Sequence, residues 1–368
     1  MKDEQHFVQD ACEILAVAEL QRLAEKAGLA ATRNASEKLQ HFENYSAERK
    51  LTEESFSKWP KYRGNLDRHL PGFFEDLIGV IGDTPMDFVD VERDFRNLNL
   101  KGDFVIMRDR HDDISVSLKN YQGSAKRPQC SSSTFNAFPL NFIFESAGVG
   151  MFLGPDGVRF RGSAQRKRDA ALRATGHEDV VPLMVKLDEL NAAIKDRFVY
   201  DPDFEFLDED EFDKARKEVG ASGQAIILEI LHRLDPATVK DRLLEMTGLD
   251  GREEVLLLDP YRRSDTITNE GFCQLRFGVS DPASTVEFGA HGQSIRFEFI
   301  LGSRSLLTVD VPFTINKNGA WISDEYEGTR FHEKEGLELA TGQRRPMKSK
   351  QLATSTNTYV DFDAAGIF

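Results

Sequence analysis

The sequence predicts a mixed α/β protein, in the α+β sense: N-terminal helices, a mixed sheet flanked by helices in the middle, and a β-rich C-terminal region. Three observations predict it. Apolar residues recur at three- and four-residue spacings over residues 3–30. Apolar and polar residues alternate over 114–119, beside a second apolar run at 103–107. From about Glu254, apolar runs separated by Asp, Gly and Asn dominate. The division expected is a helical region over 1–65, a core with a helical extension over 66–250, and a β-rich region over 251–368.

The elements follow in order. Phe7, Ile14, Leu15, Ala18, Leu20, Leu23 and Leu29 predict one or two amphipathic helices, with a break at Gly28. Residues 33–58 are mostly polar and read as exposed helix and loop ending at Pro60; the whole section suits a helical cap or a dimerisation arm. Phe73, Phe74, Leu77, Ile78 and Ile81 predict a short buried helix from Gly72, stopped by Gly82 and Pro85. Phe88–Val91, Asp103–Met107 and Ile114–Leu118 predict strands, the last two forming a hairpin around the turn RDRHDD. Pro139–Ala147 reads as a buried helix. Residues 183–198, 224–234 and 237–246 read as helices, and 255–259, 272–279, 294–301 and 306–315 as strands.

Composition narrows the function classes. The 368 residues carry 62 acidic and 47 basic side chains, a net charge of −15. That balance excludes a generally basic protein but not a local basic cleft. Three cysteines, Cys12, Cys130 and Cys273, are too few for a disulfide scaffold or a Cys-only zinc site. No run reaches the roughly eighteen apolar residues of a membrane span. The start MKDEQHF lacks the basic-then-apolar layout of a secretory signal, so a cytoplasmic location is expected. No GxGxxG or GxxxxGK[ST] pattern supports nucleotide binding. None of the eight histidines forms a short-spacing metal pair.

The informative segment is KGDFVIMRDRHDDISVSLKNY, residues 101–121. In a hairpin, the start of one strand lies beside the end of the next. Asp103 and Lys119 then meet at one sheet rim, with Ser117 on the same face as Lys119. A carboxylate can bind a divalent cation through oxygen, and an ammonium can orient water or stabilise charge on phosphorus. The plainer reading is a hairpin whose Lys119 lies along a sheet edge.

With those residues in view, 72–145 resembles the core of the PD-(D/E)XK nuclease superfamily, specifically type II restriction endonucleases. The resemblance places the first Asp of that pattern on Asp103, preceded here by Gly102 instead of Pro, and its lysine on Lys119. The intervening carboxylate falls on Ser117, so the chain is similar to the Ser-x-Lys variants with a relocated Glu. Glu145 is the candidate for that Glu, with Asp113 and Glu75 as further acids. The resemblance implies a restriction-endonuclease-like mixed sheet flanked by helices, a Mg²⁺ cofactor held by Asp103 and Glu145, and site-specific hydrolysis of double-stranded DNA. It also implies a homodimer, no membrane partner, and room for a cognate DNA methyltransferase acting on the same site. The alternative is a catalytically inactive or repair-associated DNA-binding protein with the same core, which Ser117 favours.

Two polar clusters are DNA-contact candidates. The loop GSAKRPQCSSST brings Lys126, Arg127 and Gln129. The segment 342–359 brings Gln343, Arg344, Arg345, Lys348, Lys350 and Asn357. Arg and Lys suit phosphates and guanine edges, Gln and Asn adenine edges. The basic run RFRGSAQRKR at 159–168 is a plainer phosphate-contact candidate, for which a solvated helix face is the rival reading.

Overall fold

A computed structural model describes residues 2–52, 56–90, 102–109, 113–120, 127–148, 150–197, 209–250, 253–258, 278–320, 337–338, 344–345 and 349–361. The fold is mixed α/β, with helices leading and strands concentrated towards the C-terminal end. Among the described residues, no helix is long and apolar enough to cross a membrane.

Three helices come first: α1 (Lys2–Ala27), α2 (Ala35–Glu48) and α3 (Trp59–Ile81). Gly28, at φ +73°, lies just past the end of α1 in a conformation that disfavours a Cβ. Helix α3 is longer than the short helix expected from Gly72. Pro60 opens it rather than ending the preceding segment, because a proline in the first turn gives up an N–H that has no helical acceptor there. Pro71 lies inside the helix, which survives because Trp59, Tyr62, Leu66, Leu70, Phe73, Phe74 and Leu77 form one continuous buried stripe. The division expected at 65/66 falls within this helix.

The first sheet has the order β1 (Met86–Asp90), β2 (Phe104–Arg108), β3 (Ile114–Asn120), β8 (Glu253–Leu258). Strands β1, β2 and β3 are antiparallel neighbours, with Phe104 opposite Val116 and Ile106 opposite Ile114. Strand β8 is parallel to β3, with Lys119 opposite Leu257. One face of the sheet, carrying Met86, Phe88, Phe104, Ile106, Val116 and Leu118, shares a core with α1, α2 and α3. Parallel pairing requires a long crossover, and residues 121–252 supply it.

That crossover belongs to a second core. Strands β4 (Gln129–Ser133), β14 (Ser349–Asp361), β11 (Arg304–Ala320), β10 (Ser294–Leu301) and β9 (Thr285–His291) form a five-stranded antiparallel sheet in that order. Its inner face, with Phe297, Phe299, Val309, Val311 and Phe313, packs with residues of helices α4 (Gln165–Ala174), α5 (Val181–Arg197), α6 (Glu209–Leu231) and α7 (Pro236–Thr247). A small three-stranded sheet, β5 (Ser146–Gly148), β6 (Met151–Leu153) and β7 (Arg159–Arg161), leads into α4. Strands β12 (Leu337–Glu338) and β13 (Arg344–Arg345) form a short pair. The two cores are thus interleaved along the chain across residue 250, since β4 and the helices join the strands that follow.

Two expected elements differ. Pro139–Ala147 is not an α-helix: Pro139–Phe142 is a 3₁₀ turn and Ser146 already begins β5. The turn and its flanks bury Phe138, Pro139, Leu140, Phe142 and Phe144. The strand expected at 272–279 lies mostly outside the described residues, and Gly278–Val279 fall in a helical turn.

Candidate active site at the rim of the first sheet

The backbone brings the site together before any side chain does. Gly102 sits at φ +115°, and a Cβ there would fall 2.3 Å from Ser115 Oγ and 3.0 Å from the Val116 carbonyl oxygen. This explains why glycine stands before Asp103: the close approach to β3 leaves no room, and proline, fixed near φ −65°, could not adopt the angle. The Asp103 N–H then donates to Val116 O at 2.7 Å.

The Asp103 carboxylate turns onto β3. Its Oδ2 accepts from Ser117 Oγ at 3.3 Å and from the Leu118 N–H. The Lys119 ammonium donates to Ser117 Oγ. Ser117 lies between the two charges, accepting from the lysine and donating to the carboxylate. Burial pushes the Asp103 carboxyl above the ordinary carboxylate range, although the Lys119 charge, the Leu118 N–H and the Ser117 hydroxyl all pull it down. Ser115 and Ser117 are buried, so β3 is covered on both faces, not only on the apolar face that Val116 and Leu118 mark.

Asn120, which the sequence did not single out, fastens the end of this strand. Its Nδ2 donates to Tyr62 O at 3.0 Å and to Cys12 Sγ at 3.4 Å, and its Oδ1 accepts from Asn65 Nδ2 at 3.0 Å. Helices α1 and α3 therefore grip β3 on the face opposite Lys119. Burial pushes the Cys12 thiol up to about 12 despite the Asn120 contact, so it is a neutral packing group. An amide ending an otherwise alternating strand, SVSLKN, was the available signal.

The remaining candidates disperse. Glu75 is exposed on α3, pointing away from the stripe that holds Phe73, Phe74 and Leu77. Glu145 is exposed just before β5, within the second unit and not on a helix. Asp113 is exposed at the β2–β3 turn, the far end of the hairpin. Arg127 is engaged in structure: it pairs with Asp310, and with Asp361 at 2.9 Å. Gln129 Nε2 donates to Asn357 Oδ1 at 3.2 Å, so these two amides meet across β4 and β14. Arg344 and Arg345 lie on β13 and Lys350 on β14, where the backbone alone is described. Lys126, Gln343 and Lys348 lie outside the described residues.

The donor set for a metal is small. Among the described residues, no group of three His, Cys, Asp or Glu could hold an ion. The described hydrogen bonds of Asp103 engage only one of its oxygens, Oδ2. Mg²⁺ commonly binds through one or two carboxylates, with substrate phosphates and water completing its shell. Asp103 fits that open arrangement; a closed all-protein cage is not what these residues form. Compared with known proteins, the chain matches no family model, no curated protein and no solved structure.

Proposed function

We propose that the protein is a Mg²⁺-dependent endonuclease cutting double-stranded DNA, a type II restriction enzyme of the PD-(D/E)XK kind. The observation that carries this reading is the continuous chain of contacts Lys119–Ser117–Asp103 at the rim of a mixed sheet flanked by helices. Asp103 would bind the cation, which would supply charge neutralisation at the scissile phosphate. Lys119 would hold a water or phosphate oxygen through the ammonium hydrogens not given to Ser117. Ser117 would set the direction of the lysine. A relocated acid, Glu145 or Glu75, would have to approach from the surface on which it now lies. A homodimer would bring two such rims to the two strands of a palindromic site.

The second reading is a DNA-binding protein that does not cut. It is favoured by Ser117 standing where a carboxylate is expected, and by there being no group of three His, Cys, Asp or Glu among the described residues that could hold an ion. Incubating the full chain with a complex DNA separates the two. The endonuclease reading expects discrete fragments with Mg²⁺, none with a chelator and none with Lys119→Ala. Intact DNA that nonetheless shifts in a gel would establish the binding reading instead.

A further inference from the structure

We propose that the corner formed by β7 and α4 is a docking surface for the phosphate backbone of double-stranded DNA, presented by Arg159, Arg161, Arg166, Lys167 and Arg173. The inference rests on the DNA-directed reading above and adds a surface to it, remote in sequence from the Asp103 rim.

The sequence run 159–168 is resolved by the fold into two kinds of cation. Arg168 is fully buried, with Nη1 and Nη2 on Asp188 at 3.1 and 2.8 Å, Nε on Asp169 at 2.9 Å and Nη1 on the Gly162 carbonyl at 3.3 Å. It ties α4, α5 and the turn leaving β7 into one unit and uses up Asp169. The other cations all face outward. Arg159 and Arg161 flank buried Phe160, so the two-residue repeat puts both on the outer side of β7. Arg166 and Arg173 are seven apart on α4, hence on one face about 10 Å apart, with Lys167 beside the first.

All five side chains are exposed, and none makes a hydrogen bond or ion pair among the described residues. Elsewhere the exposed arginines divide: Arg22 meets Glu19 and Arg233 meets Glu229, while Arg33, Arg68 and Arg304 stand singly without a side-chain partner among the described residues, so what sets this corner apart is the clustering of five such cations. Helix stability accounts for Arg173, in the last turn of α4, but not for the others. Arg166 and Lys167 occupy the first turn of α4, where the helix dipole disfavours cations, and no acid is present there. A cluster of unmatched cations on a pinned corner suits a polyanion carrying many closely spaced charges. A lipid surface would want apolar insertion as well, and Val158 is the one large exposed hydrophobic in the neighbouring turn.

The test is duplex binding by fluorescence anisotropy, without Mg²⁺, from about 50 to about 200 mM salt. The full chain is compared with a variant carrying Arg159→Gln, Arg161→Gln, Arg166→Gln and Arg173→Gln. A control carries Arg22→Gln and Arg242→Gln. The proposal expects the fourfold variant to lose on the order of tenfold or more in affinity, and its log–log salt slope to become shallower by about 0.9 per contact removed. The control keeps the original slope. The proposal is overturned if the slope is unchanged, if the control lowers it equally, if the wild type binds no duplex, or if phosphatidylserine vesicles bind through these arginines while the duplex does not. Binding with the expected slope but no cleavage would sink the endonuclease reading and leave this surface standing. Cleavage with a slope indifferent to the four arginines would do the reverse.

Discussion

Asp103 and Asp310 are both aspartates on a sheet beside basic side chains, yet they end in opposite states. At the second sheet, burial raises Asp310, but Arg296, bidentate at 2.8 and 3.1 Å, and Arg127 more than reverse it, and its carboxyl lies below the ordinary range. At the first sheet, one ammonium acting past Ser117 does not offset burial, and Asp103 is raised. Two guanidiniums on one carboxylate make a structural clamp. A single lysine leaves a carboxylate whose charge is under-compensated, which suits a group awaiting a further cation.

The largest expected effect lies in the second unit. Arg168→Ala removes a buried guanidinium from Asp188 and Asp169 and should cost about 3–5 kcal/mol, read as a fall in the urea midpoint with an unchanged slope. In the first unit the vulnerable feature is backbone rather than charge. Gly102→Ala, at φ +115° and against Ser115 and Val116, should cost about 1–3 kcal/mol. A variant as stable as wild type would show that the approach of β2 to β3 relaxes freely.

The pH predictions have opposite signs. Asp310 has a lowered folded value, so its contribution is present above the unfolded value of about 3.9 and is lost as pH falls through the folded one. Asp310→Asn should therefore destabilise at neutral pH and lose less on acidification than wild type, measured by urea unfolding at the two extremes. Asp103 has a raised folded value, so its contribution is full below about 3.9 and is lost as pH rises through the folded one. Asp103→Asn should stabilise the protein at neutral pH, with the gain vanishing in acid. Equal pH profiles for the two variants would erase the contrast between the sheets.

Much of the first sheet was legible because its cues are local. SVSLK alternates, GD opens a strand, and a hairpin needs only its own turn. Strand β10 (Ser294–Leu301) was legible for the same reason, being SIRFEFIL from end to end. The parallel partner β8 was read as a strand but not as a neighbour of β3, since pairing across more than a hundred residues leaves no periodic trace. Arg127 and Arg168 looked like phosphate ligands because charge is visible in a sequence and the counter-charge is not: Asp310 lies 183 residues from Arg127, and Asp188 lies 20 from Arg168. Pro60 misled because the same ring that ends a helix also opens one.

The most direct test of the rim as a cleavage centre is the rate at which Asp103→Asn cuts duplex DNA in Mg²⁺, set beside wild type at equal folded fraction. The account predicts cutting by wild type and a loss on the order of 10²–10³-fold in the variant, even though the variant is the more stable protein. Equal rates for the two, or a wild type that leaves DNA whole at every Mg²⁺ concentration, would contradict it.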